Sequence, residues 1–593
     1  MRKLVAALLF CAAAAPSAVE TNVVYGMVSG GALLMDVYRS DSSIGYGIVC
    51  IPGSGWHAPF DYSAGPLKAS GFARAYIPSL NAAGYTVFVI NHRAAPRFQY
   101  PAAVHDAQRA VRFIRHNAAR FGIRADRVGG LGGSSGGHLI HMLSVLDGKG
   151  DPEADDPADR LSAKLQAVTA VAGPVDFVKR AMSDSPGGST GSMLGMRLHP
   201  RDAKRKGGVE YRWYRDASPI THASSDDAPT LFLHGDKDIR VPYSDSTDMA
   251  KALESKGVAT RLVTIPGAGH GGFDKAKNPP DYRRETVNWF DAKLKDGSTA
   301  PKVSRPATGE TPPFAKSVER NVVYGMLSGL ALLMDVYHPK TPNGRGIVHL
   351  TGSGWHGMLG YDSTEQKASN QVKIFGGKLV EAGYTVFALN HRLAPTFKYP
   401  AHLEDAQRAI RFIRHNADKY GINPYRIGGV GGSSGGHMTS LIGYLGGAGD
   451  PADPDPVNRE SARLQAIVPW APPTDLPAMN ETFGSPSFAS FFGMRLFDRD
   501  PKTSLRYRTY SQASPIVHVT PDDPPTMMIH GDADDAVPLD QSEILLKKLK
   551  AAGVPSKLVV VPSGGHGASF PGKSSKSPDY LTATVEWFDR WLK

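Results

Sequence analysis

Short apolar runs alternate with amphipathic stretches along the chain, and the whole alternation occurs twice. Candidate strands are Ile48–Ile51, Thr86–Ile90, Ala167–Val171 and Thr230–Leu233. Each is a run of four or five apolar or β-branched residues without the polar alternation of a half-exposed sheet, which predicts strands covered on both faces. The clearest helix is predicted over 103–121. Val104, Ala107, Val111, Ile114, Ala118 and Phe121 recur there at spacings of three and four, with Arg109, Arg112 and Arg120 opposite and Gly122 as a stop. A matching stripe of Leu403, Ala406, Ile410, Ile413 and Ala417 appears some 300 residues later. Strands alternating with helices predict a mostly parallel sheet with helices on both faces, once in each half.

The halves are an internal repeat. Residues 19–38 and 318–337 match at 17 of 20 positions. At 593 residues the chain exceeds one ordinary core, and two domains at 19–295 and 318–593 fit both length and repeat. Between them, residues 296–317 are rich in Pro, Ser and Thr without an apolar period, and read as a linker. Such a linker allows independent domains or an intramolecular pseudo-dimer.

Composition changes the picture little. The chain is 41% hydrophobic and 21% charged, with a net charge of +11. It has no dense basic run and no nucleic-acid motif, so no nucleic-acid partner is expected. Residues 1–18 read as a secretory signal: Met1-Arg2-Lys3, then an apolar stretch from Leu4 to Ala15 too short to span a bilayer, then small residues. An exported, periplasmic or extracellular protein without stable membrane insertion is expected. Removing the signal leaves Cys50 alone, so an intramolecular disulfide is not expected.

The chemistry lies in three segments, each present twice and in the same order. They are Gly133-Ser134-Ser135-Gly136-Gly137, His234-Gly235-Asp236-Lys237-Asp238 and Gly269-His270-Gly271 in the first half. The second half has Gly432-Ser433-Ser434-Gly435-Gly436, His530-Gly531-Asp532-Ala533-Asp534 and Gly565-His566-Gly567. Gly-x-Ser-x-Gly suits a serine on a sharp turn between a strand and a helix, where larger neighbours collide. Ser135 and Ser434 are read as the nucleophiles. A serine hydroxyl needs a base, and His270 and His566 fill that role. The base needs a carboxylate; Asp238 and Asp534 are chosen, 32 residues before the histidines, with Asp236 and Asp532 left open because spacing does not discriminate. Serine before aspartate before histidine is the order expected of an α/β-hydrolase. No metal-ligand set, phosphate loop or dinucleotide fingerprint is present, and no cofactor is needed.

Each half resembles α/β-hydrolase esterases related to bacterial feruloyl and acetylxylan esterases. Asn91–Pro96, Tyr100–Ala103, Gly132–His138, His234–Pro242 and Pro266–His270 carry the resemblance, and the second half repeats them. The fold expected is two tandem α/β-hydrolase domains, each with a cap-like insertion such as residues 174–228. Relatives commonly carry His-Gly-Gly-Gly before a tryptophan; here the runs are Pro52-Gly53-Ser54-Gly55-Trp56 and Thr351-Gly352-Ser353-Gly354-Trp355. The resemblance implies oxyanion donors at Ser54, Gly55 and Gly136, and at Ser353, Gly354 and Gly435. Substrate contacts are expected from Trp56, Trp355 and the cap, where Thr190, Met193 and Leu194 of the first half correspond to Phe488, Phe491 and Phe492 of the second. Three extra rings predict an aromatic preference for the second site. The function expected is serine carboxylic-ester hydrolysis at two sites, on feruloyl, acetyl or other esters including polymer- or plant-polysaccharide-linked ones. A prolyl-oligopeptidase-like peptidase or amidase is the alternative, and a non-catalytic binding protein on a hydrolase scaffold the third reading.

Overall fold

The computed structural model describes residues 19–182, 188–297, 310–363, 365–483 and 486–593. The expected signal at 1–18 and most of the expected linker therefore lie outside the described residues. The described residues divide into two compact units: those within 19–25, 34–58 and 66–297 form one, and those within 26–33, 59–65 and 310–593 the other. The short exchange at 26–33 and 59–65 was not foreshadowed by the repeat.

The first half contributes strands β1 (Val19–Val28), β2 (Gly31–Tyr38), β3 (Gly47–Ile51), β4 (Thr86–Ile90), β5 (Val128–Gly133), β6 (Val168–Val171), β7 (Thr230–Gly235) and β8 (Thr260–Ile265). Their order is β1-β2-β4-β3-β5-β6-β7-β8, with β2 antiparallel to β4 and every later pair parallel. The central strands β3 to β7 are buried along their whole length, as their unbroken apolar runs require.

The second half repeats this with β9 (Ser317–Leu327), β10 (Leu330–His338), β11 (Gly346–Leu350), β12 (Thr385–Leu389), β13 (Ile427–Gly432), β14 (Ala466–Trp470), β15 (Thr526–Gly531) and β16 (Ser556–Val561). The order is again β9-β10-β12-β11-β13-β14-β15-β16. Apolar clusters lie on both faces of this sheet, one including Ile410, Ile413 and Leu441, the other Leu379, Trp587 and Phe588. Each unit is thus a mostly parallel sheet covered on both faces, with a helical insertion after its sixth strand (Phe177–Met182, Gly188–Leu194, Pro200–Arg205 and Gly208–Asp216 in the first). This is the α/β-hydrolase architecture.

The long helix differs from its reading. It runs from Ala102 to His116, breaks at Asn117, and resumes for one turn at Ala118–Phe121 before Gly122 at φ 66°. Asn117 causes the break: its side chain donates to the Phe113 carbonyl at 2.9 Å and takes up an acceptor at the helix end. Arg109, expected on the polar face, is buried; it donates to the Tyr25 carbonyl at 3.0 Å and pairs with Asp156 at 2.5 Å and Asp159 at 3.0 Å. No helix among the described residues is long and apolar enough to cross a membrane. Cys50, on β3, is fully buried, and burial pushes its thiol up to about 12.

Candidate active site

In an open parallel sheet, side chains at the carboxyl ends of the strands converge on one crevice. In the first unit β5 ends at Gly133 and the helix Ser135–Val145 begins two residues later. Ser134 alone makes the corner. Its backbone sits at φ 55° and ψ −123°, a conformation that non-glycine residues rarely adopt. Ser433 does the same at φ 53° and ψ −126°. The turn is tight enough to fix the glycines around it. A Cβ on Gly132 would lie 2.3 Å from the Gly136 carbonyl oxygen, and one on Gly136 would lie 1.9 Å from that of Ile51. In the second unit, Gly431 would meet Gly435 at 2.6 Å, and Gly435 would meet Leu350 at 2.1 Å. The tightest backbone contacts of the elbow thus fall at Gly132 and Gly136, and the serine midway between them is Ser134.

This corrects the nucleophile. The run Gly132-Gly133-Ser134-Ser135-Gly136-Gly137 holds two overlapping Gly-x-Ser-x-Gly registers, and the structure selects the earlier one. His270 Nε2 lies 2.9 Å from Ser134 Oγ, and its Nδ1 lies 2.7 Å from Asp238 Oδ2. An ionised carboxylate only accepts, so Nδ1 carries the proton and Nε2 accepts from the serine hydroxyl. Ser135 is buried and away from this chain; its Oγ accepts the Ser54 N–H at 2.8 Å. Ser434 likewise accepts from Ser353 N–H at 2.9 Å, which leaves Ser433 as the elbow residue of the second unit.

The structure also decides between the aspartates. Asp238 Oδ1 accepts the N–H groups of Arg240 at 2.8 Å and Val241 at 3.0 Å while Oδ2 holds His270. Burial by itself would raise its pKa. Hydrogen bonds from His234, His270 and the Val241 N–H outweigh burial and hold the carboxyl well below the usual range. Asp236 is exposed and accepts the Gly267 N–H at 2.7 Å, shaping the loop that carries His270. In the second unit Asp534 contacts His566 Nδ1 at 2.8 and 3.0 Å, and its pKa is lowered in the same way, against burial, by His530 and His566. Asp532 accepts the Ser563 N–H at 2.6 Å. No hydrogen bond joins His566 to Ser433 among the described residues, so only the first triad is closed through to its serine.

The expected oxyanion residues need two corrections. The N–H groups of Ser54 and Ser353 are already given to Ser135 and Ser434. Gly136 and Gly435 follow the residue after the nucleophile and press against β3 and β11, so they serve close packing. Gly55 stays at the cavity with Gly53 and Ser54. Gly55 and Trp56 have φ of 64° and 61°, a pair of left-handed residues that curls the loop, and Gly354 and Trp355 repeat it. His57 Nδ1 lies 2.6 Å from the Gly55 carbonyl and pins that curl.

A cavity of about 520 Å³ opens over Ser134 and His270, walled by Phe72, Trp56, Val171, Arg180 and Arg240 among others. The expected cap contacts are not among its walls. Met193 and Leu194 are buried in a cluster with Trp56, Phe177 and Tyr214. Phe488, Phe491 and Phe492 are buried around Trp355 and Tyr510, with Phe491 stacked on Trp355 at 4.8 Å and Phe492 on Tyr510 at 4.0 Å. These five side chains are buried in the packing between the cap and the tryptophan loop. The predicted aromatic preference of the second site thus loses its basis. Trp56 borders the cavity but is nearly buried itself.

Trp56 has a second task. Its Nε1–H donates to His138 Nδ1 at 3.1 Å, and His138 Nε2 lies 2.9 Å from the Ala217 carbonyl in the cap. The indole only donates, so His138 is neutral with its proton on Nε2. Burial drives its pKa down to about 4. Trp355, His437 and Ala513 form the same relay at 3.2 and 2.7 Å, and His437 is also at about 4. Buried His141 and His349 are driven down to about 3 and about 4. All four have folded values below the ordinary 6.5, so the unfolded chain binds protons first. Their contribution to stability is complete above pH 6.5 and is lost as pH falls toward 4. About 1.4 kcal/mol per histidine is lost by pH 5.5. Asp245, raised to about 6 mainly by burial, acts in the opposite sense and offsets part of it. The melting temperature is expected to fall steadily from pH 7 to pH 5; a flat profile over that range would contradict neutral buried histidines.

The two sites differ beside the nucleophile. In the first, the Phe72 ring lies over Gly133, whose Cβ would approach it to 2.5 Å, and it packs on Tyr76 at 5.2 Å. In the second, Gln371 stands at the matching position. Its side chain accepts the Gly352 N–H at 2.9 Å and donates to the Gly352 carbonyl at 3.1 Å. The ring over Gly432 comes instead from Trp470, stacked at 4.2 Å and 4° on Phe375. Trp470 matches Val171 and Phe375 matches Tyr76. The residue pattern at either place did not single out these positions.

The BD-FAE family description matches this chain twice, over residues 35–253 and 334–549. Among curated proteins, esterase LipC of Mycobacterium tuberculosis is 27% identical over 292 residues, covering 45% of this chain and 65% of LipC. The acetylxylan esterase of Xylanibacter ruminicola is 28% identical over 262 residues, covering 44% of this chain and 48% of that protein. The chain thus spans less than two-thirds of the length of these relatives. Among solved structures, a truncated carbohydrate esterase from gut microbiota is 28% identical with a TM-score of 0.39, covering 47% of this chain and 97% of that one.

Proposed function

The chain belongs to the BD-FAE family, and on that footing we propose that it is a carboxylic-ester hydrolase with two serine sites. The observation that carries the reading is the closed relay Ser134–His270–Asp238 at the floor of the cavity. Ser134 Oγ attacks the ester carbonyl as its proton passes to His270 Nε2. Asp238 accepts from Nδ1 and stabilises the imidazolium. The carbonyl oxygen becomes an oxyanion, held by the N–H groups of Ser135, at the start of its helix, and of Gly55. His270 returns the proton to the departing alcohol. Water, deprotonated by the same imidazole, then releases the acid from the acyl-enzyme. Ser433, His566 and Asp534 do the same in the second unit, with Ser434 and Gly354 as donors. There His566 closes on Ser433 when substrate is bound, as catalytic hydrogen bonds often do.

Relatives named as acetylxylan and carbohydrate esterases favour a polysaccharide-linked acyl group as substrate, and export through residues 1–18 would bring the enzyme to it. The test is a panel of p-nitrophenyl esters, acetylated xylan and peptide p-nitroanilides, with labelling by a fluorophosphonate. Ester turnover and phosphonylation at Ser134 and Ser433 are expected. Turnover of anilides alone would point to a peptidase, and absence of labelling would argue against a serine enzyme.

A further inference from the structure

We infer that the first site, and not the second, takes esters that carry a carboxylate close to the scissile bond, held by Arg180 and Arg240. The inference rests on the ester-hydrolase reading and names the substrate class of one of its two sites. Both arginines wall the cavity that holds Ser134 and His270. They come from different elements, Arg180 from the cap helix Phe177–Met182 and Arg240 from the loop after β7, two residues past Asp238. Arg180 Nη2 donates to the Arg240 carbonyl at 3.2 Å, which ties the two elements together at the cavity mouth.

Among the described residues, the cavity walls carry these two guanidiniums and no carboxylate. Asp238 is committed to His270, and exposed Asp236 is held by the Gly267 N–H with Lys237 beside it. Asp245 lies 3.9 Å from Arg180 Nη1. It is buried, and burial raises its pKa to about 6, against the pull of the Arg180 guanidinium. Arg240 is exposed. A purely structural role for Arg180 as partner of Asp245 accounts for one arginine and leaves the other unexplained.

The second unit removes both cations. Met479 stands at the position of Arg180 and is buried in the cap cluster; Ala536 stands at that of Arg240. Gln541 replaces Asp245. The loop Asp236-Lys237-Asp238-Ile239-Arg240, with two cations and two anions, becomes Asp532-Ala533-Asp534-Asp535-Ala536, with three anions and no cation. Two guanidiniums at one cavity wall recognise a carboxylate by forked hydrogen bonds, while an anionic mouth repels it. The preference therefore reverses sign between sites on one chain.

The test uses the full chain with one nucleophile silenced, Ser433→Ala to isolate the first site and Ser134→Ala to isolate the second. Two probe pairs place the charge on either side of the bond: p-nitrophenyl butyrate against p-nitrophenyl hydrogen succinate, and phenyl acetate against 4-acetoxybenzoate. In at least one pair, the charged-to-neutral ratio of kcat/KM is expected to be about tenfold or more higher at the first site than at the second. Arg240→Ala and Arg180→Met should each bring that ratio toward the second site's value, and high salt should shrink it. Should Arg180→Met not fold, the exposed Arg240 carries the test. Equal ratios at the two sites in both pairs, with neutral esters still turned over, would overturn this inference and leave the hydrolase reading standing. A ratio untouched by Arg240→Ala would overturn it equally. No turnover of any ester at either site would remove both.

Discussion

Ester turnover should fall by about four orders of magnitude or more when Ser134 and Ser433 are both replaced by alanine. It should fall far less when Ser135 and Ser434 are the pair exchanged. Ser134 is the residue at the elbow whose hydroxyl reaches His270 at 2.9 Å. Ser135 keeps its hydroxyl on the Ser54 N–H, so its loss frees a loop donor and leaves the nucleophile in place. Losing that buried bond is worth about 1–3 kcal/mol, or roughly ten- to a hundredfold in rate if it is felt wholly in the transition state. The measurement is kcat on a p-nitrophenyl ester for the two double variants, with the fluorophosphonate adduct mapped by peptide mass. An active Ser134→Ala/Ser433→Ala protein, or an adduct on Ser135, would refute the assignment.

Gly136→Ala should be the most damaging single methyl in the first unit. Its Cβ would stand 1.9 Å from the Ile51 carbonyl oxygen, at the crossing of the elbow helix and β3, where backbone meets backbone and no side chain can swing aside. A loss of about 4 kcal/mol or more is expected. Gly435→Ala, at 2.1 Å from the Leu350 oxygen, should do the same to the second unit. Calorimetry of each variant should show a large downward shift of the affected unit's transition. A shift of only a degree or two would mean that the strand and helix separate more easily than their packing implies.

Much of this was legible in the residues. The unbroken apolar runs marked the buried strands, because a strand covered on both faces cannot alternate. The 32-residue interval from Asp238 to His270 was visible, but only hydrogen bonding separates Asp238 from Asp236, since both follow the same strand. The nucleophile was misassigned by one residue. Two serines and four glycines satisfy the motif in either register, and what breaks the tie is which hydroxyl reaches His270, a residue 136 positions away in sequence. The cap failed for another reason. An apolar residue in a lid faces either the substrate or the lid's own interior, and Phe488, Phe491 and Phe492 all found partners inside. The arginines of the first cavity were invisible because Arg180 and Arg240 lie 60 residues apart and meet only in the fold.

The ring over Gly133 in the first unit and Gly432 in the second constrains how one site could be converted into the other. The first uses Phe72 beside a small Val171; the second uses Trp470 beside Gln371. Val171→Trp alone would drive two rings into one space, whereas Phe72→Gln alone would leave a hole. A hole is tolerated more readily than an overlap that has no room to relax. A stepwise conversion of one arrangement into the other is therefore expected to succeed only if the niche is emptied before it is refilled. Shuffling segments between the halves will be productive only when the helix bearing residue 72 or 371 travels with the strand bearing residue 171 or 470.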